Sequence, residues 1–401
     1  MPSPPAAAPR PKKQEQEPAS TEVVEAAPGV LRMQLPISMP GLGHVNMYGL
    51  TDDRGIAVVD PGLPGPQSWS ALKSRLKSAG YRLKDVHTVF VTHSHPDHFG
   101  GAGRIASISG ARVVTHDSFT TWSLSRRDRQ RSEHLPAEQA AELERFAAEV
   151  ARELDLSPGE LETSLDEIER QRDPLRAVEH DRERTRRAVP WGGDTPWGTA
   201  NPGPPLQRRA MIRALRLFFA PPEPTLRLRH ADHLELAGRE WRAIHTPGHT
   251  LDHLCLYDPE YGVVLTGDHV LPTITPHVSG VGHGGDALHS YLATLDLVAR
   301  LDGVRLGLPA HGHPFADVPG RVAAIKRHHE ERMEQIRAVS LAIGPATVQD
   351  LSRELFPERH WGVMAESETF AHLQHLTRLG EAESWTGKDG LLYFRAEPPA
   401  A

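Results

Sequence analysis

The stretch His93-Ser94-His95-Pro96-Asp97-His98 is the most informative part of the chain, because it places three imidazoles and a carboxylate within six residues. It follows an apolar, β-branched run at residues 86–92, which predicts a buried strand. In layered α/β folds, functional groups commonly lie on the loops that follow strands. Two imidazoles one residue apart can reach a single metal ion, and Asp97 and His98 can serve a second one. The stretch therefore predicts a metal site at the end of a strand.

Three further candidate ligands follow, each directly after its own strand-like run. His249 lies in Thr-Pro-Gly-His-Thr (246–250), Asp268 in Thr-Gly-Asp-His (266–269) and His311 in Pro-Ala-His-Gly (309–312). The preceding runs are residues 240–245, 263–266 and 304–308. Because all three side chains follow strands, we expect them to meet at one edge of the fold. His313 competes with His311, and the Pro-Ala-His-Gly context favours His311.

Apolar runs and helical patterns alternate along most of the chain, which indicates a layered α/β fold. Further strands are predicted at residues 55–60, 226–228 and 254–257, and helices at 69–79, 291–301 and 319–342. Residues 120–230 interrupt this rhythm and indicate a mostly helical insertion. Its arginine-bearing stretch at 206–219 is either a lid for an anionic substrate or a solvated basic face. Residues 1–27, rich in Pro, predict a disordered tail.

These motifs, in this order, resemble those of the metallo-β-lactamase superfamily in its glyoxalase II-like, dinuclear branch. The resemblance covers residues 28–340 apart from the insertion. It implies an α/β fold of the four-layer αβ/βα type, in which two mixed sheets pack together between outer helices.

The resemblance also implies a role for each candidate ligand. Three histidines would hold the first metal ion, a mixed set would hold the second, and Asp268 would bridge the two ions. The first set is His93, His95 and His249, and the second is Asp97, His98 and His311. Asp60, at the end of the predicted strand 55–60, would orient one of the ligand histidines.

The chemistry expected of such a site is metal-assisted hydrolysis. Two divalent ions, with zinc expected and iron or manganese as alternatives, would share a water and lower its pKa to give a metal-bound hydroxide. Asp97 and Asp268 are the expected catalytic carboxylates, because they can orient this nucleophile. The expected substrate is a small ester-like molecule: a thioester, a lactone or a related acyl compound.

The C-terminal part, residues 341–401, has a different pattern. A capping sequence at Thr347 opens a short helix, a second helix is predicted at 366–379, and Gly387-Lys388-Asp389-Gly390 indicates a hairpin. This order suggests a small winged-helix-like domain. Between residues 345 and 398, five Lys and Arg stand against nine Asp and Glu, a net charge of −4. Nucleic acid is therefore not an expected partner, and a structural or dimerising role is favoured.

The remaining composition limits the alternatives. The chain has 401 residues, a net charge of −7 and a single cysteine, Cys255, which is expected to be a core residue. No apolar run is long enough to cross a membrane and no signal peptide is evident, so a cytoplasmic location is expected. The other histidines near the ligands, His253 and His269, are expected to be buried and hydrogen-bonded. Loop histidines 277, 283 and 289 could line the mouth of a pocket.

Two other functions remain open for the same set of motifs. One is a phosphodiesterase or endoribonuclease, because some members of the superfamily carry such a C-terminal module and cut RNA. The other is a mononuclear iron persulfide dioxygenase, which shares much of the ligand set. A regulatory protein with a dead site is disfavoured, because all seven ligand candidates are present.

Overall fold

Two β-sheets form the centre of the molecule. The structure, a computed structural model, describes residues 13–39, 41–120, 189–192, 222–281 and 285–396. The first sheet has seven strands in sequential order, and its last four strands run parallel to one another. Its strands are β1 (Val23–Ala27), β2 (Val30–Met39), β3 (Leu42–Asp52), β4 (Gly55–Val59), β5 (Val86–Phe90), β6 (Arg112–His116) and β7 (Leu226–Leu228).

The second sheet has five strands and is also mixed. Its order is β12-β11-β10-β9-β8, and only β11 and β12 run parallel. The strands are β8 (His233–Leu236), β9 (Arg239–His245), β10 (Leu254–Asp258), β11 (Val263–Gly267) and β12 (Leu306–Pro309). The strands predicted at 240–245, 254–257 and 263–266 are thus confirmed to within one residue at each end, and the one predicted at 304–308 begins two residues later.

Alternation along the strands explains why the two sheets pack face to face. On β4, Ala57 and Val59 lie in the apolar cluster between the sheets, whereas Val58 points to the opposite side. On β10, Leu256 lies in the same central cluster, and Cys255 points away from it. Because side chains alternate with period two, each strand supplies both the central layer and an outer layer.

Helices cover both outer faces. The first sheet packs against α1 (Pro66–Ser78) and α3 (Ala102–Ser109), with the short α2 (Pro96–Phe99) between them in the chain. The second sheet is covered by α4 (Ala287–Ala299) and α5 (Val318–Ile343). The predicted four-layer αβ/βα arrangement is therefore confirmed. None of the described helices is long and apolar enough to cross a membrane.

The prediction of a disordered tail at residues 1–27 is wrong for residues 13–27. Strand β1 pairs with β2 along its length, and Glu15 is fully buried. Its carboxylate accepts hydrogen bonds from the backbone N–H groups of Thr273 (2.8 Å) and Ile274 (3.1 Å), and from the Thr273 hydroxyl. A polar segment can be ordered in this way when its charge is satisfied by a partner distant in sequence. Composition alone does not reveal such a partner.

The predicted helical insertion at 120–230 falls almost entirely outside the described residues. Residues 121–188 and 193–221, including the arginine-bearing stretch, are not among them. Its last part is the strand β7, as expected for 226–228. Between the two gaps, Val189 and Trp191 are buried in the same apolar cluster as α4 and α5.

The C-terminal elements follow the predicted order of helix, helix and hairpin. They are β13 (Ala346–Thr347), α6 (Val348–Leu355), α7 (Val363–Arg378), β14 (Ala382–Thr386) and β15 (Leu392–Ala396), with the three strands in one sheet. Thr347 and Asp350 form the reciprocal cap of α6. Phe370 and Phe394 pack in one cluster with Ile325 of α5 and Leu295 of α4. The winged-helix assignment and the division at residue 341 stay predictions.

We expect Leu256→Ala to lower the free energy of unfolding by about 2–5 kcal/mol, because it leaves a cavity between the two sheets. Leu256 is fully buried there, while Leu341 on α5 is 53% exposed. Leu341→Ala is the matched control and should change stability by no more than about 0.5 kcal/mol. Urea unfolding of both variants measures the difference, and equal losses would contradict the assignment of Leu256 to the central layer.

Candidate metal centre

The ends of five strands bring the predicted site residues to one edge of the sandwich. β4 and β5 run parallel in the first sheet, and β11 and β12 run parallel in the second, so within each sheet their carboxyl ends lie at one edge. The side chains that follow β5, β9, β11 and β12 converge there, and Asp60 follows β4. All seven predicted ligands are brought together: His93, His95, Asp97, His98, His249, Asp268 and His311.

Glycines in two of the motifs make this convergence possible. Gly248, just before His249, has φ 145°, and a Cβ at this position would lie 2.4 Å from the Cβ of Tyr291. Gly267, just before Asp268, has φ 52°, and its Cβ would lie 2.5 Å from Nε2 of His253. Only glycine combines these backbone angles with so close an approach. The Gly-His and Gly-Asp pairs are therefore required by packing as well as by chemistry.

Four of the seven side chains form a first group. His95 Nδ1 lies 2.9 Å from His93 Nε2 and 3.0 Å from His249 Nε2. Asp268 Oδ2 lies 3.4 Å from His249 Nε2 and 3.9 Å from His93 Nε2. Donor atoms of the four residues all lie within 4.8 Å of one another. Three imidazoles and one carboxylate at such spacing could hold a tetrahedral ion.

The other three side chains form a second group beside the first. Asp97 Oδ2 lies 3.6 Å from both His98 Nε2 and His311 Nε2. Asp268 reaches this group too, with Oδ1 3.3 Å from His311 Nε2 and Oδ2 3.5 Å from His98 Nε2. Asp268 is thus the side chain that both groups share.

Hydrogen bonds on the outer side of the rings fix which nitrogen faces the centre. His311 Nδ1 donates to the carbonyl oxygen of His44 (2.6 Å), and His249 Nδ1 donates to that of His277 (2.7 Å). A carbonyl can only accept, so each ring carries a proton on Nδ1, and Nε2 is the nitrogen that faces the centre. His98 Nδ1 lies 2.9 Å from Oδ2 of Asp60, which fits the orienting role expected of Asp60.

Several buried atoms in the centre lack hydrogen-bond partners among the described residues. They are Nε2 of His98, Nε2 of His311 and Oδ1 of Asp268. Burying polar atoms without a partner is costly, and exceptions of this kind require an explanation. All three atoms face the second group, and all are of the types that bind zinc. The residues present therefore fit a bound divalent cation.

The local charges also favour a cation. Burial alone would raise the pKa of Asp268, but the charges of His311 and His98 and a hydrogen bond from His249 hold it well below its ordinary value. Asp268 is thus ionised although it is buried. Burial lowers the pKa of His93, with further lowering from His98 and His95, so this ring is neutral and able to bind a metal.

The nearby histidines and Cys255 have varied surroundings. His253 is buried with both ring nitrogens engaged, at Thr246 Oγ1 (2.7 Å) and at the backbone N–H of Asp268 (3.1 Å), as expected. His269 is buried, but neither of its ring nitrogens has a hydrogen-bond partner among the described residues, so that expectation is wrong in part. His313 lies outside the two groups, 2.9 Å from Glu17 Oε2. Burial raises the pKa of the Cys255 thiol to about 12, which agrees with a core residue.

Sequence reasoning missed two supports of the first group. Asp252 is buried, and its Oδ1 accepts a hydrogen bond from the Ser94 hydroxyl (3.1 Å), which joins the 93–98 loop to the His249 loop. The carbonyl oxygen of His277 holds the His249 ring, a role that any residue could fill. No signal in the sequence marks a backbone carbonyl. The sequence signal for Asp252 was its position as an acidic residue three places after His249.

The C-terminal helix α7 contacts the loop that supports His249. Ser367 Oγ lies 3.1 Å from Nε2 of His277, and Oε2 of Glu368 lies 3.8 Å from its Nδ1. The backbone N–H of Gly280 donates to the carbonyl oxygen of Ser367 (3.4 Å). The C-terminal elements are therefore connected to the first group through a single intervening residue.

Comparison with known proteins agrees with this geometry. A model of the metallo-beta-lactamase superfamily matches residues 40–311, more than half of the chain. The chain therefore belongs to the metallo-beta-lactamase superfamily, a fold family of hydrolase-like metalloenzymes.

Solved structures extend the similarity beyond the matched domain. A metallo-beta-lactamase family protein from Thermus thermophilus superposes with a TM-score of 0.63 at 29% identity, covering 92% of this chain and 100% of that one. A beta-lactamase domain protein from Burkholderia ambifaria gives a TM-score of 0.64 at 23% identity, covering 94% and 96%. The second similarity shows the fold alone.

The similarity to curated relatives is more local. The lactamase-like protein nscB of Neosartorya fischeri is 38% identical over 105 residues, which are 25% of this chain and 29% of that protein. The lactamase-like protein vrtG of Penicillium aethiopicum is 34% identical over 112 residues, 27% and 33% of the two chains. The match thus spans about a third or less of each relative's length.

We expect Asp60→Asn to weaken zinc binding at the second group about 10–100-fold, as for other partners of ligand histidines. Asp60 Oδ1 accepts from the Thr92 N–H, while Oδ2 faces the Thr92 hydroxyl and His98 Nδ1. An amide would turn its NH2 toward His98 Nδ1 and remove the acceptor. Asn also tolerates the left-handed φ of 54° at this position. Competition with a chelator measures the affinity.

The control for this experiment is Asp53→Asn, a change in the exposed turn between β3 and β4. It removes the same charge from the chain but lies away from the site, so zinc binding should stay as in the unaltered protein. Equal affinities of Asp60→Asn and the unaltered protein would contradict an orienting role for Asp60.

Zinc binding should also weaken as the pH falls. Burial opposes the charged form of His98, but the carboxylates of Asp97, Asp268 and Asp60 outweigh it and raise the pKa of His98 well above its ordinary value. The pKa of His311 is also raised, since Asp268 and Asp97 outweigh its burial. Both rings hold protons that a metal must displace. Zinc titrations in buffers of different ionisation enthalpy should therefore show proton release, and its absence would contradict these shifts.

Proposed function

We propose that this protein is a dinuclear metallohydrolase that acts on small ester-like substrates. Its observational basis is the buried carboxylate of Asp268, which faces both groups of ligand-type side chains. In this proposal one set of residues holds the first divalent ion, another holds the second, and Asp268 bridges them. The first set is His93, His95 and His249, and the second is Asp97, His98 and His311. Zinc suits these nitrogen and oxygen donors best, with iron or manganese as alternatives.

Two bound ions would supply a Lewis acid for the substrate oxygen and a water of lowered pKa as nucleophile. The protein's own side chains would position the reacting groups and exclude bulk water from them. Asp97 is 3% exposed, and its Oδ2 lies 3.6 Å from two imidazole nitrogens, so it can accept a proton at the inner side of the site. Asp268, ionised and shared by both groups, would also orient the nucleophile. The outer hydrogen bonds of His249 and His311 keep both rings in the binding tautomer.

The charge of the C-terminal part and the number of buried donor atoms favour an ester-like substrate and a dinuclear site. The net charge of −4 between residues 345 and 398 disfavours a polyanionic substrate, since phosphate binding needs a basic surface. A thioester, lactone or related acyl compound needs no such surface. A mononuclear iron dioxygenase would leave the buried donors of His98 and His311 without a partner. Two ions account for both groups of donors.

Several finer assignments belong to the same proposal. The dinuclear motif set supports assignment to the glyoxalase II-like branch, without implying a glutathione substrate. The catalytic domain includes the ordered segment 13–27 and extends to residue 340. Residues 341–401 form a winged-helix-like domain, for which a structural role or homodimer formation is favoured over nucleic-acid binding. A cytoplasmic location is a further part of this proposal. The fungal relatives, which are described only as lactamase-like proteins, do not narrow the substrate further.

The test combines elemental analysis of the purified protein with a panel of thioester, lactone, phosphodiester and RNA substrates. We expect at least two divalent ions per chain and hydrolysis of acyl substrates. Asp97→Ala should reduce that hydrolysis about 10²–10⁴-fold, because it removes both a ligand and a proton acceptor. Asp53→Ala, on an exposed turn, should retain full activity.

Two outcomes would overturn the proposal in different ways. A metal-loaded protein that cleaves RNA and leaves every acyl substrate intact would reject the substrate class. A single iron ion per chain, with oxidation of a persulfide, would reject the dinuclear hydrolase itself.

A further inference from the structure

A third group of metal-binding side chains lies outside the site described above. It consists of Asp286, His289 and His375, whose donor atoms all lie within 4.8 Å of one another. Asp286 is the N-cap of α4, His289 lies in the first turn of that helix, and His375 lies on α7. The group therefore joins the helix that covers the second sheet to the C-terminal elements.

The contacts within this group resemble those of the first group at the candidate metal centre. Asp286 Oδ2 lies 2.8 Å from His375 Nδ1. At the metal centre, His93 Nε2 and His95 Nδ1 lie 2.9 Å apart, a similar separation between two donor atoms. The His289 and His375 rings have centroids 6.1 Å apart, with planes tilted by 34°. Two imidazoles and a carboxylate are the donor set of many three-ligand zinc sites.

Two of the three side chains are buried and the third is exposed. The side chains of Asp286 and His375 are only 6% and 7% exposed, whereas His289 is exposed to solvent. Burial alone would raise the pKa of Asp286, but hydrogen bonds from His375 and from the backbone N–H of His289, together with the charges of both histidines, lower it. An ionised carboxylate with imidazoles beside it suits a borderline divalent ion, and the exposed ring gives that ion access from solvent.

The helix cap does not need the His289 side chain. Asp286 Oδ1 accepts its capping hydrogen bond from the backbone N–H of His289 (2.8 Å), which any residue other than proline provides. An Asp–His pair together with a helix cap would therefore account for Asp286 and His375 but not for the position of the His289 ring. A metal ion accounts for all three.

We propose that Asp286, His289 and His375 form a further divalent-metal site, suited to Zn²⁺ or Co²⁺, that fastens α4 to α7. Three protein ligands leave room for a water or an external ligand at the fourth position. Metal bound there would stabilise the contact between the second sheet and the C-terminal elements, because binding to the folded state alone raises stability. The site is separate from the proposed catalytic centre and does not depend on it.

The test is the number of Zn²⁺ ions bound by the full chain after metal removal and titration with zinc alone. We expect one ion fewer in His289→Ala than in the unaltered protein, and a smaller zinc-dependent rise in melting temperature. Alanine keeps both the helix cap and the Asp286–His375 pair, so this variant should fold normally. His360→Ala, which removes an exposed histidine near the start of α7, is the matched control and should keep every ion.

Titration with Co²⁺ gives a second readout. An absorption band of the third ion should be lost in His289→Ala and retained in Asp268→Ala, which disrupts the proposed catalytic centre. If His289→Ala binds as many ions as the unaltered protein, the third site is rejected. If it loses one ion while Asp268→Ala loses none, the third site stands and the dinuclear proposal fails, so the two hypotheses are tested separately.

Discussion

The buried carboxylate of Asp268 is the feature on which the rest of the site depends. It is ionised inside the protein because the charges of His311 and His98 offset the cost of burial. Each of its two oxygens lies near histidine nitrogens of a different loop. Loops from both sheets must therefore meet at this carboxylate, which requires the carboxyl ends of the parallel pairs β4–β5 and β11–β12 to lie at the same edge. The sandwich fold supplies that arrangement by packing the two sheets face to face.

Support for the metal-facing rings comes from groups at very different distances along the chain. His311 is held by the carbonyl of His44 on β3, His98 by Asp60 after β4, and His249 by the carbonyl of His277. These partners fix the tautomer of each ring, so the donor atoms face inward before any ion arrives. Preorganisation of this kind reduces the free-energy cost of ordering side chains when a metal binds. The same hydrogen bonds offset part of the cost of burying these polar rings.

The N-terminal segment and helix α7 approach the site from opposite ends of the chain. Glu15 holds the backbone at Thr273 and Ile274, shortly after Asp268, and Ser367 contacts His277 a few residues further along. The loop after Asp268 is thus fastened on one side by the N-terminus and on the other by the C-terminal elements. Both contacts lie outside the motifs of the superfamily.

The sequence by itself determined the fold class and the seven converging side chains, because short apolar runs and the residues directly after them are local signals. Val58 and Cys255 could be assigned to strands in this way, and His93, Asp268 and His311 to the strand ends. The tertiary structure decided which nitrogens of His249 and His311 face inward, since their partners are backbone carbonyls that carry no residue identity. It also decided that residues 13–27 are ordered, because the groups that satisfy Glu15 lie 258 and 259 residues away along the chain. Contacts of that range leave no pattern in one sequence.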